Sequence, residues 1–201
     1  HEEALKCFDR VLWIDPRNAT AWGNKGSALA LLGRFSEALD CYDEAIKILP
    51  YAEVWLSKGT ALRNLGSFGE ALQCYDKALE INPKYVEAWS AKGNALEELG
   101  RNEEAVECYD KAVEINPRDS SAWYSKGHAL ASSGRLYEAI ECYDRALELN
   151  PRYILAWIFK GAALTDLGRL AEALNCCDKA LEIDPKHKLA LELEHHIVKL
   201  M

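Results

Sequence analysis

Residues 22–50 read WGNKGSALALLGRFSEALDCYDEAIKILP, and this stretch decides the fold because the chain repeats it. A Trp recurs at Trp22, Trp55, Trp89, Trp123 and Trp157, at intervals of 33, 34, 34 and 34 residues. Four residues after each comes Gly (Gly26, Gly59, Gly93, Gly127, Gly161), and eleven after comes a second Gly (Gly33, Gly66, Gly100, Gly134, Gly168). Ala follows at sixteen, as at Ala38, and Pro at twenty-eight, as at Pro50. The twentieth position holds Tyr42, Tyr75, Tyr109 and Tyr143, then Cys177.

This register has a mechanical reading. Trp22, Lys25, Gly26 and Leu29 share one face at helical spacing, which predicts a first helix over about residues 19–32. Gly33 ends it, because Gly adopts the left-handed conformation favoured after a helix C-terminus. A second helix is predicted from about Ser36 to Leu49, stopped at Pro50. Each helix is roughly 21 Å long and marginal alone, so packing must stabilise it. The expectation is that small residues let paired helices approach closely, with each repeat Trp buried between them.

The pattern resembles the tetratricopeptide repeat, whose signature of Trp, Gly, an aromatic or Leu, Gly, Ala, an aromatic, Ala and Pro is met over residues 1–187. That resemblance implies an all-α, right-handed α-solenoid of antiparallel helix pairs. It departs where the first full repeat is one residue short near Tyr51, where Cys177 replaces the aromatic, and where Asn102 replaces Phe or Leu at its turn. The predicted divisions are a second helix of an incomplete repeat at 1–18, repeats at 19–51, 52–85, 86–119, 120–153 and 154–187, and a capping helix at 188–201. Residues 1–18 match only a second helix, so the expectation is a piece of a longer array with an apolar face uncovered at its start. In the final helix Leu191 stands at the Trp position and His195 at the Gly position.

Two further residue types recur in step. Lys25, Lys58, Lys92, Lys126 and Lys160 lie three residues after each Trp, and Asp43, Asp76, Asp110, Asp144 and Asp178 follow on the second helices. The Lys can bury its stem and carry its ammonium to solvent or to a carboxylate, or form a basic stripe for an acidic ligand. For Lys92 the alternative to an ammonium carried to solvent is a buried ion pair with a carboxylate such as Asp110. Cys7, Cys41, Cys74, Cys108, Cys142 and Cys176 form a ladder, with Cys177 beside its last member. One thiol per repeat cannot supply a tetrahedral metal set, so these read as small buried hydrophobes in a reducing, cytoplasmic setting without disulfides.

The chain has 24 Lys and Arg against 32 Asp and Glu, a formal charge of −8. That excludes a phosphate-neutralising nucleic-acid binder and an anionic membrane surface. No nucleophile motif, phosphate-binding Gly loop or metalloprotease motif occurs, so neither enzyme activity nor a cofactor is expected.

Function is therefore sought on the first-helix face opposite the Trp–Leu stripe, which the resemblance places in a concave peptide-binding groove. Family members that grip the C-terminal carboxylates of heat-shock chaperones use Lys, Asn and Arg there. Here the matching positions hold Gly23 with Ser27, and Glu87 with Ala91, so that clamp is missing. The face is acidic at Glu87, Glu97 and Glu98, near Asn94, and apolar at Tyr124, His128, Leu155, Ile158 and Phe159. The predicted function is a scaffold or adaptor for a protein or peptide with an apolar anchor flanked by basic residues. Three alternatives stay open. The array can serve a longer polypeptide carrying an enzyme, it can self-associate end to end, or the apolar patch can lie under the C-terminal helix.

Overall fold

The computed structural model describes residues 2–201. Among them lie twelve α-helices of 13 or 14 residues and no strand. Two compact units divide them.

Unit 1 holds α1 (Glu2–Ile14), α2 (Ala19–Leu31), α3 (Phe35–Ile48), α4 (Ala52–Asn64), α5 (Phe68–Ile81) and α6 (Val86–Glu98). Unit 2 holds α7 (Asn102–Ile115), α8 (Ser120–Ser132), α9 (Leu136–Leu149), α10 (Ile154–Asp166), α11 (Leu170–Ile183) and α12 (Lys188–Leu200). Within each unit every helix packs against the next in sequence, and first helices of successive repeats also touch.

Local chemistry sets these boundaries. Gly33, Gly66, Gly100, Gly134 and Gly168 all have φ between +70° and +79°, with open space where a Cβ would stand. Gly is needed there for its left-handed backbone rather than for room. The turn is locked at Arg34, Ser67, Arg135 and Arg169, whose N–H groups reach back to carbonyls of Leu29, Leu62, Leu130 and Leu164 at 2.9–3.0 Å. After α5, α7, α9 and α11 the side chains of Asn82, Asn116, Asn150 and Asp184 each accept from the backbone N–H two residues on, at 3.1–3.2 Å. Such Asx turns carry the chain through Pro into the next repeat.

The repeat Trp residues correct the expectation that they fill the core. All five are only partly buried, whereas Tyr42, Tyr75, Tyr109 and Tyr143 are 0–2% exposed. The Gly of the first helix explains why. A Cβ built at Gly26, Gly59 or Gly127 would sit 2.6–2.8 Å from the ring of Tyr42, Tyr75 or Tyr143. The phenol ring therefore approaches the helix backbone through its Cδ1–Cε1 edge, where only Gly leaves room. The indoles instead span the boundary with solvent. Nε1 of Trp22, Trp89, Trp123 and Trp157 donates to the carbonyl of the Pro six residues earlier, at 2.9–3.0 Å. An indole whose N–H must reach an exposed loop keeps one edge outside.

The Lys and Asp ladders join across repeats rather than within them. Lys25, Lys58, Lys92, Lys126 and Lys160 pair with Asp9, Asp43, Asp76, Asp110 and Asp144 at 2.5–2.7 Å. Each carboxylate belongs to the preceding second helix, so the partner of Lys92 is Asp76, not Asp110. Each ammonium also lies 5.4–5.8 Å from the ring of its own repeat Trp. The Asp side chains are 42–59% exposed, so solvent screens these pairs. Lys92→Met should cost about 1 kcal/mol or less. A double-mutant cycle with Asp76→Ala measures the pair directly, and high salt should shrink its coupling energy.

Candidate functional site

On the open face of unit 2 the aromatic residues gather around Tyr124. Its ring centroid lies 5.0 Å from Tyr153, 5.8 Å from Phe159 and 6.2 Å from His128. His128 meets Phe159 edge to face at 5.1 Å. Leu155 stands one turn before Phe159 on α10 and is 36% exposed. Tyr124, His128 and Phe159 thus form one partly exposed ring cluster, with Leu155 one helical turn away on the same side of α10.

Ile158 does not belong to that surface, which corrects the expectation of an exposed Ile–Phe pair. It is 5% exposed and packs with Ala180, Ala190 and Leu193. The cause is the departure at Cys177. Where other repeats place a Tyr against the first-helix Gly, Gly161 faces Cys176 and Leu193 at 3.3 Å. The small Cys177 leaves room that Leu193 and Ile197 of α12 fill. α12 therefore covers Ile158 and leaves Leu155 partly accessible.

In unit 1 the acidic residues lie on α6. Glu87 and Glu98 are exposed, while Asn94 and Glu97 are partly buried. Next to them is a feature that sequence reasoning missed. The residue four before the Trp caps the first helix in two repeats: Asn18 accepts from the N–H of Ala21, and Asp119 from those of Ser121 and Ala122. At the same position stand Tyr51, Tyr85 and Tyr153, which make no side-chain cap and fold over the preceding first helix. A Cβ at Gly23 would lie 2.2 Å from the Tyr51 hydroxyl oxygen, so Gly23 is covered rather than open to a ligand. Tyr85 packs against the same cluster of Ala52, Ala78, Leu79 and Ala88 as Leu56, and Tyr153 lies against Tyr124. Burial raises the Tyr85 phenol pKa, and the nearby carboxylates of Glu53 and Glu87 raise it further. Aromatics replacing polar caps were the available signal.

The thiols offer no chemistry. Cys41, Cys74, Cys108, Cys142, Cys176 and Cys177 are buried and none of the thiols is in a disulfide; Cys7 is exposed, which corrects the expectation of a wholly buried ladder, because no described helix packs on that part of α1. Burial pushes Cys74, Cys142 and Cys176 up to about 11 and Cys177 to about 12, against the opposing pull of Lys58, Lys126 and Lys160 on the first three. Iodoacetamide near pH 8 should therefore alkylate Cys7 alone in the folded chain, because the thiolate is the nucleophile. Because folding raises these pKa values, their stabilising effect is complete below the ordinary thiol value and is lost as pH rises toward 11. In a denaturation series this contribution should be constant near pH 8 and fall from about pH 9 to 11.

Among the described residues no three His, Cys, Asp or Glu side chains could hold a metal ion. None of the described helices is long and apolar enough to cross a membrane. Helix pairs packed each on the next within both units define a helical-repeat scaffold. The chain belongs to the tetratricopeptide repeat family. Three family models, each described as tetratricopeptide repeat, match residues 1–57, residues 56–120, and residues 120–153 with 154–187.

Among solved structures it resembles YrrB, described as a tetratricopeptide protein with an unusual peptide-binding site. The TM-score is 0.76 at 25% identity, covering 94% of this chain and 97% of that one. MamA follows with a TM-score of 0.75 at 26% identity, covering 80% and 95%. The Cut9–Hcn1 tetramer structure shares the fold with a TM-score of 0.79 at 18% identity, over 98% of this chain and 39% of that one. An uncharacterized protein of Methanocaldococcus jannaschii is 42% identical over 47 residues, which cover 23% of this chain and 55% of the relative's length.

Proposed function

We propose that this chain is a scaffold or adaptor segment that holds a partner's peptide or helix against the open face of its first helices, and that it carries out no catalysis. The observation that carries this reading is the surface of Tyr124, His128, Phe159 and Leu155. It is aromatic, accessible at Leu155 and built only where the repeats differ from one another. Residues common to all repeats are accounted for by packing, so specificity belongs to those that vary. Aromatic anchors tend to dominate binding energy. The matching ligand carries an apolar side chain, and the acidic residues Glu87, Glu97 and Glu98 favour Lys or Arg elsewhere in it. The peptide-binding site in the description of YrrB supports the same reading by analogy.

End-to-end self-association is less favoured. A second helix docking in repeat register on α12 would meet His195 where other repeats have Gly. Even a Cβ at the equivalent Gly26, Gly59 and Gly127 overlaps the aromatic ring of the second helix.

Leu155→Asp and Phe159→Ala test the proposal. Both should weaken partner binding, by about 2 kcal/mol for the aromatic truncation. Leu155→Asp should lower the melting temperature only slightly, because its side chain is 36% exposed. Normal binding by both variants would refute the assignment to this surface.

A further inference from the structure

A recurring arginine stands at the start of the second helices. Arg34, Arg135 and Arg169 each hold the carboxylate three residues on with Nε and Nη2, at 2.5–2.8 Å. That fork leaves Nη1 for the preceding second helix. Nη1 of Arg135 donates to Glu103 on α7, 32 residues earlier, at 3.0 Å. Nη1 of Arg34 lies 3.8 Å from Glu2 on α1, the same step back in sequence. From Arg169 that step arrives at Tyr137 on α9. Among the described residues Arg169 Nη1 has no hydrogen-bond partner.

Tyr137 is the one tyrosine of nine that packing does not explain. Tyr42, Tyr75, Tyr109 and Tyr143 are buried, and Tyr51, Tyr85, Tyr124 and Tyr153 are partly buried, whereas Tyr137 is 68% exposed. It stands near Arg169. The hydrogen bond to Glu172 raises the Arg169 pKa most, and charge on Glu172, Tyr137 and Asp144 raises it further. A neutral phenol is a weak acceptor for that guanidinium, where Glu103 gives Arg135 a full negative charge.

We propose that Tyr137 is a phosphorylation site and that Arg169 receives the phosphate, tying α9 to α11. A tyrosine kinase using ATP supplies the group. The phenol oxygen bonds to the γ-phosphorus, the bond from that phosphorus to the β–γ bridging oxygen breaks, ADP leaves, and the phenol proton passes to the kinase's base. The product carries about −1.5 to −2 charge near pH 7 and three acceptor oxygens. Opposite a guanidinium N–H it forms a charge-assisted bond in the place where Glu103 holds Arg135. Phosphotyrosine is longer than Glu, and both side chains are exposed enough to adjust to that length. The clamp joins the two repeats whose first helices bring Tyr124 and Phe159 together. It lies on their second helices, so it stands or falls separately from the ligand proposed for the open face.

The test uses the full chain, ATP and two tyrosine kinases of unlike sequence preference. Mass spectrometry should place the first phosphate on Tyr137, and Tyr137→Phe should remove most of the incorporation. Phosphorus NMR then follows the second ionisation of the phosphate, which falls at about pH 6 in a free phosphotyrosine. Pairing should lower that midpoint by roughly half a pH unit, and Arg169→Met should return it to the value of a short phosphopeptide spanning Tyr137. The substitution spares the backbone N–H of residue 169 that closes the turn onto Leu164, so the variant should melt as a folded chain. If neither kinase labels Tyr137, or both label other tyrosines first, the site is wrong. If Tyr137 is labelled but its phosphate titrates alike with and without the Arg169 side chain, the clamp is wrong.

Discussion

Tyr75→Ala is expected to destabilise the protein by about 3–5 kcal/mol, more than Trp89→Ala does. The ring of Tyr75 has no solvent-accessible surface and packs with Leu62, Ala71, Cys74 and Ala95. Truncation removes a large apolar group from a site one wall of which is the helix backbone at Gly59. Helix backbone cannot collapse to refill the space, and the cost of a cavity rises with what remains unfilled. Trp89 is larger, but it is only partly buried and its N–H bond to Pro83 lies at the surface. Chemical denaturation of both variants ranks them. If Trp89→Ala costs more, the Gly–Tyr contact is not the main packing element of the repeat.

The second large effect concerns α12. Ile197→Ala should cost about 2–5 kcal/mol, and the loss should appear as local opening of the last helix. Ile197 is fully buried against Cys177, yet α12 lacks the other bonds of a repeat helix. It has Leu191 for Trp and Glu194 for Lys, and Glu194 lies near the Cys177 thiol together with Asp178. With Glu in place of Lys at 194, Asp178 has no equivalent of the Lys that pairs with the matching Asp in every earlier repeat. Few alternative contacts therefore hold the helix once Ile197 is truncated. Hydrogen exchange should accelerate across α12, and at Ile158 beneath it, while α8 stays protected. Uniform acceleration throughout unit 2 would mean that α12 is integral rather than a cap.

The helices and their ends were legible because they depend on local rules. A period of 34 residues, Gly at the left-handed turn and Pro after the second helix define them with no knowledge of tertiary contacts. Burial order was harder to read. Trp and Tyr recur with equal regularity, and only the approach of each phenol to a glycine backbone decides which goes inside. The Lys and Asp ladders were both visible, but their pairing across repeats depends on how neighbouring helices are offset. Lys92 and Asp76 are 16 residues apart, and no local rule selects that partner over Asp110.

The candidate site was legible in part. Tyr124, His128 and Phe159 share a helix face at one-turn spacing or stand in adjacent first helices, and the fold brings them together. Ile158 looked equally open because its own helix offers nothing to cover it. The covering residues come from α12, and they fit only because Cys177 is small. Tyr51, Tyr85 and Tyr153 escaped notice because a position that normally caps a helix gives no hint of a side chain folded backward.

The central claim is that the first helices carry the binding face. Site-specific photo-crosslinking tests it most directly, with benzoylphenylalanine placed at Leu155 on α10 or at Glu182 on the exposed side of α11. The two positions belong to one repeat and differ mainly in which face they occupy. Adducts with a discrete partner should form from position 155 and not from position 182. Equal labelling from both, or labelling from 182 alone, would contradict the account and move recognition to the second helices.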